Sequence, residues 1–422
     1  MSDHDQKTRV FYGWWIVAAA FLNLFFVVGI IFYGFPVFYP AFVDSLGFTR
    51  TQVTQGFLLG MLIIGLPSGL LAGTVIDRVG GRWVIVTGVG FVGASLLLMA
   101  YMTKFWQYEL LCAMEVLGFV LAGPIANQVL VASWFRRRRG RAMGYAYLGL
   151  GLGGVVAPPI VTYLVQAVGW RHALEAIGLL ILLVLLPVGI WITGSSPGER
   201  GLLPDGRIVL DKESGENADG SVAVTTAVRS GNFWLILTGS TLAIGAIGAV
   251  VQHIILFLRD YGYSTMGASR FLSVLMISSL VGRVVVGYMA DHFRKKNIMA
   301  FFYFLIGASV LLLATTHSSP ALWIFAVMFG FSMGADYMLV PLVVVESFGT
   351  ASLGKLLALI IMGYSLGQWG APWIVGRIFD ARKSYELAWT IIGLAAMAGA
   401  ASVYAVSKGL VRASTGQQYE QE

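Results

Sequence analysis

Arg283, Asp336, His253 and Glu115 each stand inside a long run of apolar residues. A charge in the middle of such a run costs about 2.5–3.5 kcal/mol on membrane-insertion scales, so each residue needs a reason to be there. Arg283 offers a permanently charged, planar guanidinium that fits a carboxylate. It lies eight residues before Asp291, ~12 Å from that end of its segment by helical rise. Asp336 lies ten residues before Glu346 on a segment running the other way, ~15 Å deep, so the two depths match. An Arg283–Asp336 pair is feasible. Two roles for Asp336 stay open: a proton carrier whose protonation frees Arg283 for an anion, or a permanent counter-ion. For Arg283 the rival to anion binding is a structural ion pair.

Tyr337 follows Asp336 with a hydroxyl able to complete a carboxylate site, or else packs in the core. His253, near the end of its run, titrates close to neutrality and suits proton entry, or is simply hydrogen-bonded there. Glu115 reads as half-exposed at the mouth of its segment, with proton coupling as a second role. Glu346 reads as loop-facing.

The elements that must position these groups follow from composition. Of 422 residues, 57% are hydrophobic and 12% charged. A soluble fold carries roughly twice that charge, so the chain reads as an all-α membrane protein. The single Cys112 excludes an intramolecular disulfide and a cysteine metal cluster. Net charge is +7, but the block Arg136 to Arg141 sits where basic cytoplasmic loops belong, so no nucleic-acid partner is expected.

A bilayer core of ~30 Å needs about 20 apolar residues per helix. Twelve segments qualify: 12–40, 52–76, 83–103, 106–134, 142–168, 173–193, 232–258, 266–290, 298–315, 320–347, 353–379 and 387–408. The polar start Met1 to Val10 has no cleavage site, so the first segment is expected to stay as a span. The even number and the excess of Lys and Arg on one side predict both termini in the cytoplasm of a cell with this protein in its inner membrane. The Gly-, Asp-, Glu- and Ser-containing stretch 194–231 reads as a solvated linker. It divides the chain into a six-helix bundle over 1–193 and a second over 232–422.

The halves repeat at an offset of 214 residues. Gly73 and Asp77 recur as Gly287 and Asp291, Arg82 as Lys296, Arg141 as Lys355, and Ala157-Pro158 as Ala371-Pro372. Parallel repeats of this kind resemble the architecture of the major facilitator superfamily. The run Gly73, Asp77, Arg78, Arg82 is similar to that superfamily's loop motif after its second helix. Gly73 permits close approach, and Arg78 and Arg82 offer partners to Asp77, so these residues, with Gly287 and Asp291, read as a gate latch. Arg283, Asp336, His253 and Glu115 shift by 214 onto Gly69, Ala122, Tyr39 and Phe329, or are shifted onto from them. The shared scaffold does not require them. Gly144, Gly149, Gly151, Gly153 and Gly154, followed by Pro158 and Pro159, predict a helix built for tight packing and a bend.

Gly349 to Lys355 has the spacing of a phosphate loop, but Leu356 replaces the magnesium-binding hydroxyl. No enzyme, cofactor or metal site is expected.

Phe11-Tyr12-Gly13-Trp14-Trp15, Phe32-Tyr33-Gly34-Phe35-Pro36, Trp134-Phe135-Arg136 and Leu258-Arg259-Asp260-Tyr261-Gly262 resemble bacterial monocarboxylate transporter-like carriers. Their relatives include animal monocarboxylate transporters and oxalate–formate antiporters. The resemblance implies that Arg283, followed by Gly287, contacts a substrate carboxylate. It departs at Val37 and Ser279, where animal members carry Lys and Asp, and at Gly363, where the oxalate antiporter has Lys. One buried cation favours a single carboxylate. By position, Gly29, Ala122, Leu148, Ser365 and Phe331 are expected to line the cavity with Arg283 and Tyr337. The expectation is a monomeric carrier of a small organic acid by alternating access, by proton symport, with anion exchange or efflux of amphipathic compounds as rivals. A non-transporting sensor is the alternative outside transport.

Overall fold

Apolar runs of this length satisfy their backbone from within, and only helices do so segment by segment. The computed structural model describes residues 11–68, 75, 78–135, 138–203, 224–315, 318–349 and 353–407; the side chains of 139–140, 287, 291, 336–338 and 353–354 are not described. The helices among them are α1 (Gly13–Val28), α2 (Tyr39–Leu46), α3 (Arg50–Gly60), α4 (Gly81–Met99), α5 (Phe105–Ala122), α6 (Pro124–Trp134) and α7 (Arg139–Pro187). Within the stretch expected as a linker lies α8 (Val224–Arg229), followed by α9 (Gly231–Asp260), α10 (Thr265–His292), α11 (Lys295–Thr315), α12 (Ser319–Met333), α13 (Asp336–Phe348), α14 (Leu353–Arg382) and α15 (Glu386–Tyr404). There is no strand among the described residues.

Eight helical stretches among the described residues are long and apolar enough to cross a membrane. Twelve separate spans are not established: two expected spans count as one, that over 320–347 divides into shorter helices, and part of that over 52–76 lies outside the described residues. The spans expected over 142–168 and 173–193 form one helical run with a single left-handed residue, Gly169 at φ 81°, between them. The span over 106–134 breaks at Gly123 (φ −81°, ψ −156°), and Pro124 opens α6. The span over 320–347 is α12 and α13, separated by Gly334 and Ala335. In the first span a π-helical turn, Gly29–Gly34, and a 3-10 turn, Phe35–Phe38, join α1 to α2.

The chain forms two compact units, Met1–Phe35 with Ile63–Glu213, and Pro36–Leu62 with Ser214–Glu422. The division at the linker assigns 36–62 to the N-terminal bundle. Its contacts place it in the second unit instead, for a reason that lies in Arg50 and is described below.

Small residues let backbones meet in both units. In the first, a Cβ on Gly149 would run into the carbonyl oxygen of Phe21, and one on Gly153 would lie 2.5 Å from that of Phe25. α7 therefore lies directly against α1. In the second, a Cβ on Gly367 would strike the carbonyl of Thr241, so α14 lies against α9 in the same way. Gly153 and Gly367 are 214 residues apart. The glycines of the predicted packing helix are not equivalent, since nothing lies within 4 Å of a Cβ on Gly144. Gly149→Ala should therefore lower the thermal midpoint of the purified protein, at a cost of about 1–3 kcal/mol from overpacking. Gly144→Ala should leave it unchanged or raise it; equal midpoints would remove the packing argument.

Candidate functional site

α10 and α12 approach closely enough that side chains are excluded between them. A Cβ on Gly282 would run into the carbonyl of Phe331, one on Gly330 into that of Leu275, and one on Gly334 into that of Ser279. The same Cβ on Gly334 would lie 3.0 Å from the backbone nitrogen of Arg283. Gly334 is two residues before Asp336, which opens α13. The backbone of Arg283 thus lies close to Gly334, two residues before Asp336. The side chains of Asp336 and Tyr337 lie outside the described residues. Arg283 is half-buried, makes no ion pair among the described residues, and has a buried Nε with no hydrogen-bond partner. Ser279, one turn earlier, is 1% exposed with its Oγ also unpartnered.

The other expected site residues belong to both units. Phe331 is half-buried, its ring 5.5 Å from that of Phe302. Ser365 is buried and donates to the Ile361 carbonyl at 2.7 Å. In the first unit, Leu148 is exposed, and Gly29 is covered by Gly153, with 2.7 Å between a Cβ there and the Gly153 Cα. Ala122 is fully buried at the helix break, where its carbonyl accepts from Asn23 Nδ2 at 2.5 Å and Asn127 Nδ2 at 2.8 Å. Glu115 is not half-exposed. It is 0% exposed, and neither carboxylate oxygen has a hydrogen-bond partner. It lies on the α5 surface that faces α4, in line with Gly118, where a Cβ would meet Val92 at 2.7 Å. Gly73 and Asp77 lie outside the described residues, as do the side chains of Gly287 and Asp291.

His253 is fully buried in α9 with both ring nitrogens engaged. Nε2 lies 2.8 Å from the carbonyl of Pro372, which can only accept, so Nε2 carries the proton. Nδ1 then accepts from the hydroxyl of Tyr385 at 3.1 Å. That hydroxyl in turn accepts from Arg50 Nη1 at 2.7 Å. Burial pushes the Tyr385 hydroxyl above the usual phenol range, so it remains a donor.

Arg50 is the centre of this cluster, and the sequence reading passes over it. Its guanidinium holds Asp260 by two bonds of 2.6 Å and lies 3.7 Å over the Phe379 ring. The backbone nitrogens of Arg50 and Thr51 donate to Asp380 at 3.3 and 2.9 Å, and Thr51 Oγ1 does so at 2.5 Å. Arg259 adds a bond to Asp44 at 3.1 Å, and Tyr39 one to Gln252 at 2.7 Å. These bonds carry 36–62 into the second unit. The signal available in the sequence was local: Thr49 and Gln52 form a capping box, which marks Arg50 as the first residue of a helix with free N–H groups.

The family model described as Major Facilitator Superfamily matches residues 21–372. The chain belongs to that superfamily. It is 26% identical over 394 residues to monocarboxylate transporter 13 of Rattus norvegicus, covering 92% of this chain and 87% of that one. It is 26% identical over 318 residues to MFS transporter asaE of Aspergillus flavus, covering 74% and 67%. The crystal structure of the nucleoside transporter NupG has the same fold, with a TM-score of 0.73 at 13% identity over 94% of this chain and all of that one. The chain is thus a multi-pass membrane transporter, not an enzyme.

In this facilitator the loop arginine has a partner of its own. Arg82 donates through Nη2 to the carbonyl of Ile190, near the end of the helical run that follows α7. Lys296, its repeat partner, donates to the carbonyl of Tyr404 at 3.1 Å. Ile190 and Tyr404 are also 214 apart, so the repeat preserves a cation on a helix C-terminus. Arg78 is exposed. A double-mutant cycle of Arg50→Met with Asp260→Asn should give a coupling of about 1–2 kcal/mol in thermal stability, given the two-bond geometry and partial exposure. Additive effects would show that the ion pair does not help to hold residues 36–62 in the second unit.

Proposed function

We propose that this transporter carries a small monocarboxylate, such as lactate or pyruvate, with a proton, across a cytoplasmic membrane. Arg283 binds the carboxylate. The observation that carries this reading is the state of Arg283: a half-buried guanidinium without an ion-pair partner among the described residues, at the meeting point of α10, α12 and the start of α13. Carriers of this superfamily place their substrate at such a mid-helix point and alternate its access. Relatives named monocarboxylate transporters, matched over most of the chain, support the same class.

Proton symport follows from charge. A carboxylate that travels with a proton crosses without net charge, and a site with one cation then returns empty without an uncompensated anion. Asp336, beside Arg283 in the backbone, and Glu115, with both oxygens unpartnered, are the carboxyls proposed to handle that proton. His253 acts further off, through Tyr385. Both termini lie in the cytoplasm, and each monomer holds a complete site.

Uptake of labelled lactate into proteoliposomes tests this. An inward proton gradient should drive uptake by the wild type. Arg283→Gln should reduce it about a hundredfold, the scale of removing one partner of a buried charge pair. Uptake that ignores the gradient and requires a preloaded anion would replace symport by exchange. Undiminished uptake by Arg283→Gln would return Arg283 to a structural role.

A further inference from the structure

The first unit contains a cavity of about 10 Å³ between α1, α4, α6, the end of α7 and the π-helical turn Val188–Ile192 that follows it. Asn23 and Asn127 line it, 4% and 1% exposed. Both spend their amide nitrogens at the Gly123 break, on the carbonyls of Ala122 and Gly123. What each amide has left is an acceptor, and both Oδ1 atoms are buried with no hydrogen-bond partner. A buried polar group left unpaired costs about 1–3 kcal/mol. Two of them on residues that border one cavity call for a common explanation.

Thr193 is the third polar residue on the wall, and the rest of the lining is aliphatic or glycine. Its hydroxyl lies 3.3 Å from the carbonyl of Val188, which already accepts from the Thr193 N–H at 3.1 Å. That distance is long for a hydroxyl donor, so little is lost when the hydroxyl turns to another acceptor. The wall therefore offers two acceptors and one available donor. A water matches this set by donating both hydrogens and accepting one, the roughly three bonds that buried waters make. The volume is the room one water needs, and a carboxylate is too large for it. An ion fits the charges poorly. No carboxylate lines the cavity, and Arg82 donates to the carbonyl of Ile190, next to the lining residue Gly189. A cation buried there would meet a like charge and carry an uncompensated desolvation cost.

We infer that this cavity is a binding site for one water molecule, which donates to Asn23 Oδ1 and Asn127 Oδ1 and accepts from the Thr193 hydroxyl. The water completes the break at Gly123. Each asparagine gives its nitrogen to a stranded carbonyl and its oxygen to the water, so neither amide is left half-used. Through it α1, α6 and the turn after α7 are joined at one point, although no direct side-chain bond links all three. The inference is independent of the carboxylate reading of Arg283.

Radiolytic footprinting of the purified full chain tests this. Ionising a bound water makes hydroxyl radicals in place, so apolar side chains beside it are oxidised although bulk water does not reach them. Leu130 and Leu185 line the cavity and are each 2% exposed. Val161 and Ile181 of α7 are equally buried and do not line it. Mass spectrometry should find the two leucines oxidised and the two controls intact. Ala19→Ser and Ala20→Ser each add a hydroxyl to a residue of the wall, and at least one should displace the water and abolish the leucine oxidation. Asn23 and Asn127 are kept, because their nitrogens hold the break. The inference is overturned if the leucines are oxidised no more than the controls, or if both serine variants leave their oxidation unchanged. The wild-type contrast decides the matter alone should the variants fail to fold. The thermal midpoint should be the same in sodium chloride and choline chloride. A rise in sodium that the serine variants lose would give the site to an ion and overturn water as its occupant.

Discussion

No water reaches the middle of a bilayer, so a peptide carbonyl that loses its helical donor must find a side chain. Much of this protein's polar inventory is committed to that task. At the Gly123 break, Asn127 donates to the carbonyls of Ala122 and Gly123 at 2.8 Å each, and Asn23 reaches across from α1 to Ala122. Those carbonyls only accept, so both amide groups are fixed with nitrogen toward the break. Trp134 donates to the carbonyl of Gly194 at 2.9 Å, and Arg171 to those of Ala100 and Met102. Arg82 and Lys296 do the same at two helix ends related by the repeat. The helices break and end where side chains are available to take over.

The same constraint explains why residues 36–62 leave the bundle that the linker would assign them to. α3 begins with N–H groups that have no helical acceptor. Thr49 and Gln52 take part of that role locally, and Asp380 takes the N–H groups of Arg50 and Thr51 from the end of α14. A carboxylate at a helix N-terminus is also favoured by the helix dipole. Once Asp380 fixes the start of α3, the Arg50 side chain falls between Asp260, Phe379 and Tyr385. Tyr385 then donates to Nδ1 of His253, whose tautomer the Pro372 carbonyl fixes. A histidine that suggested proton entry when met in the sequence is here one member of a hydrogen-bonded chain beginning at a surface ion pair.

What the sequence made legible was set by composition and period. Apolar runs of bilayer length, one linker and a 214-residue offset carry the helical class and the repeat, because each depends only on residue type and spacing. Arg283 was legible because a permanent charge within such a run is costly wherever the helix sits. Glu115 was misplaced because burial depends on which face of α5 meets α4, and helical spacing alone leaves that face open. Arg50 was missed because its partners Asp260 and Tyr385 are 210 and 335 residues away; beside a turn it looks like any loop charge. The breaks at Gly123 and Gly334 were hidden for a related reason. Glycine is common throughout this chain, and only the carbonyls waiting opposite distinguish a break from a packing contact.

The arginines show how a ligand site is told from structural charge. Arg50 is filled by a carboxylate, a hydroxyl and an aromatic face; Arg82 and Arg171 are given to carbonyls at helix ends. Each lies where a helix begins or stops, and each would leave a specific backbone or acidic group stranded if removed. Arg283 differs on both counts. It sits within a continuous helix and makes no ion pair among the described residues, and its buried Nε has no hydrogen-bond partner. A cation without an ion-pair partner among the described residues, held at mid-helix depth against its insertion cost, is what supports the proposed carboxylate role. That is the physical content of proposing it as a substrate group.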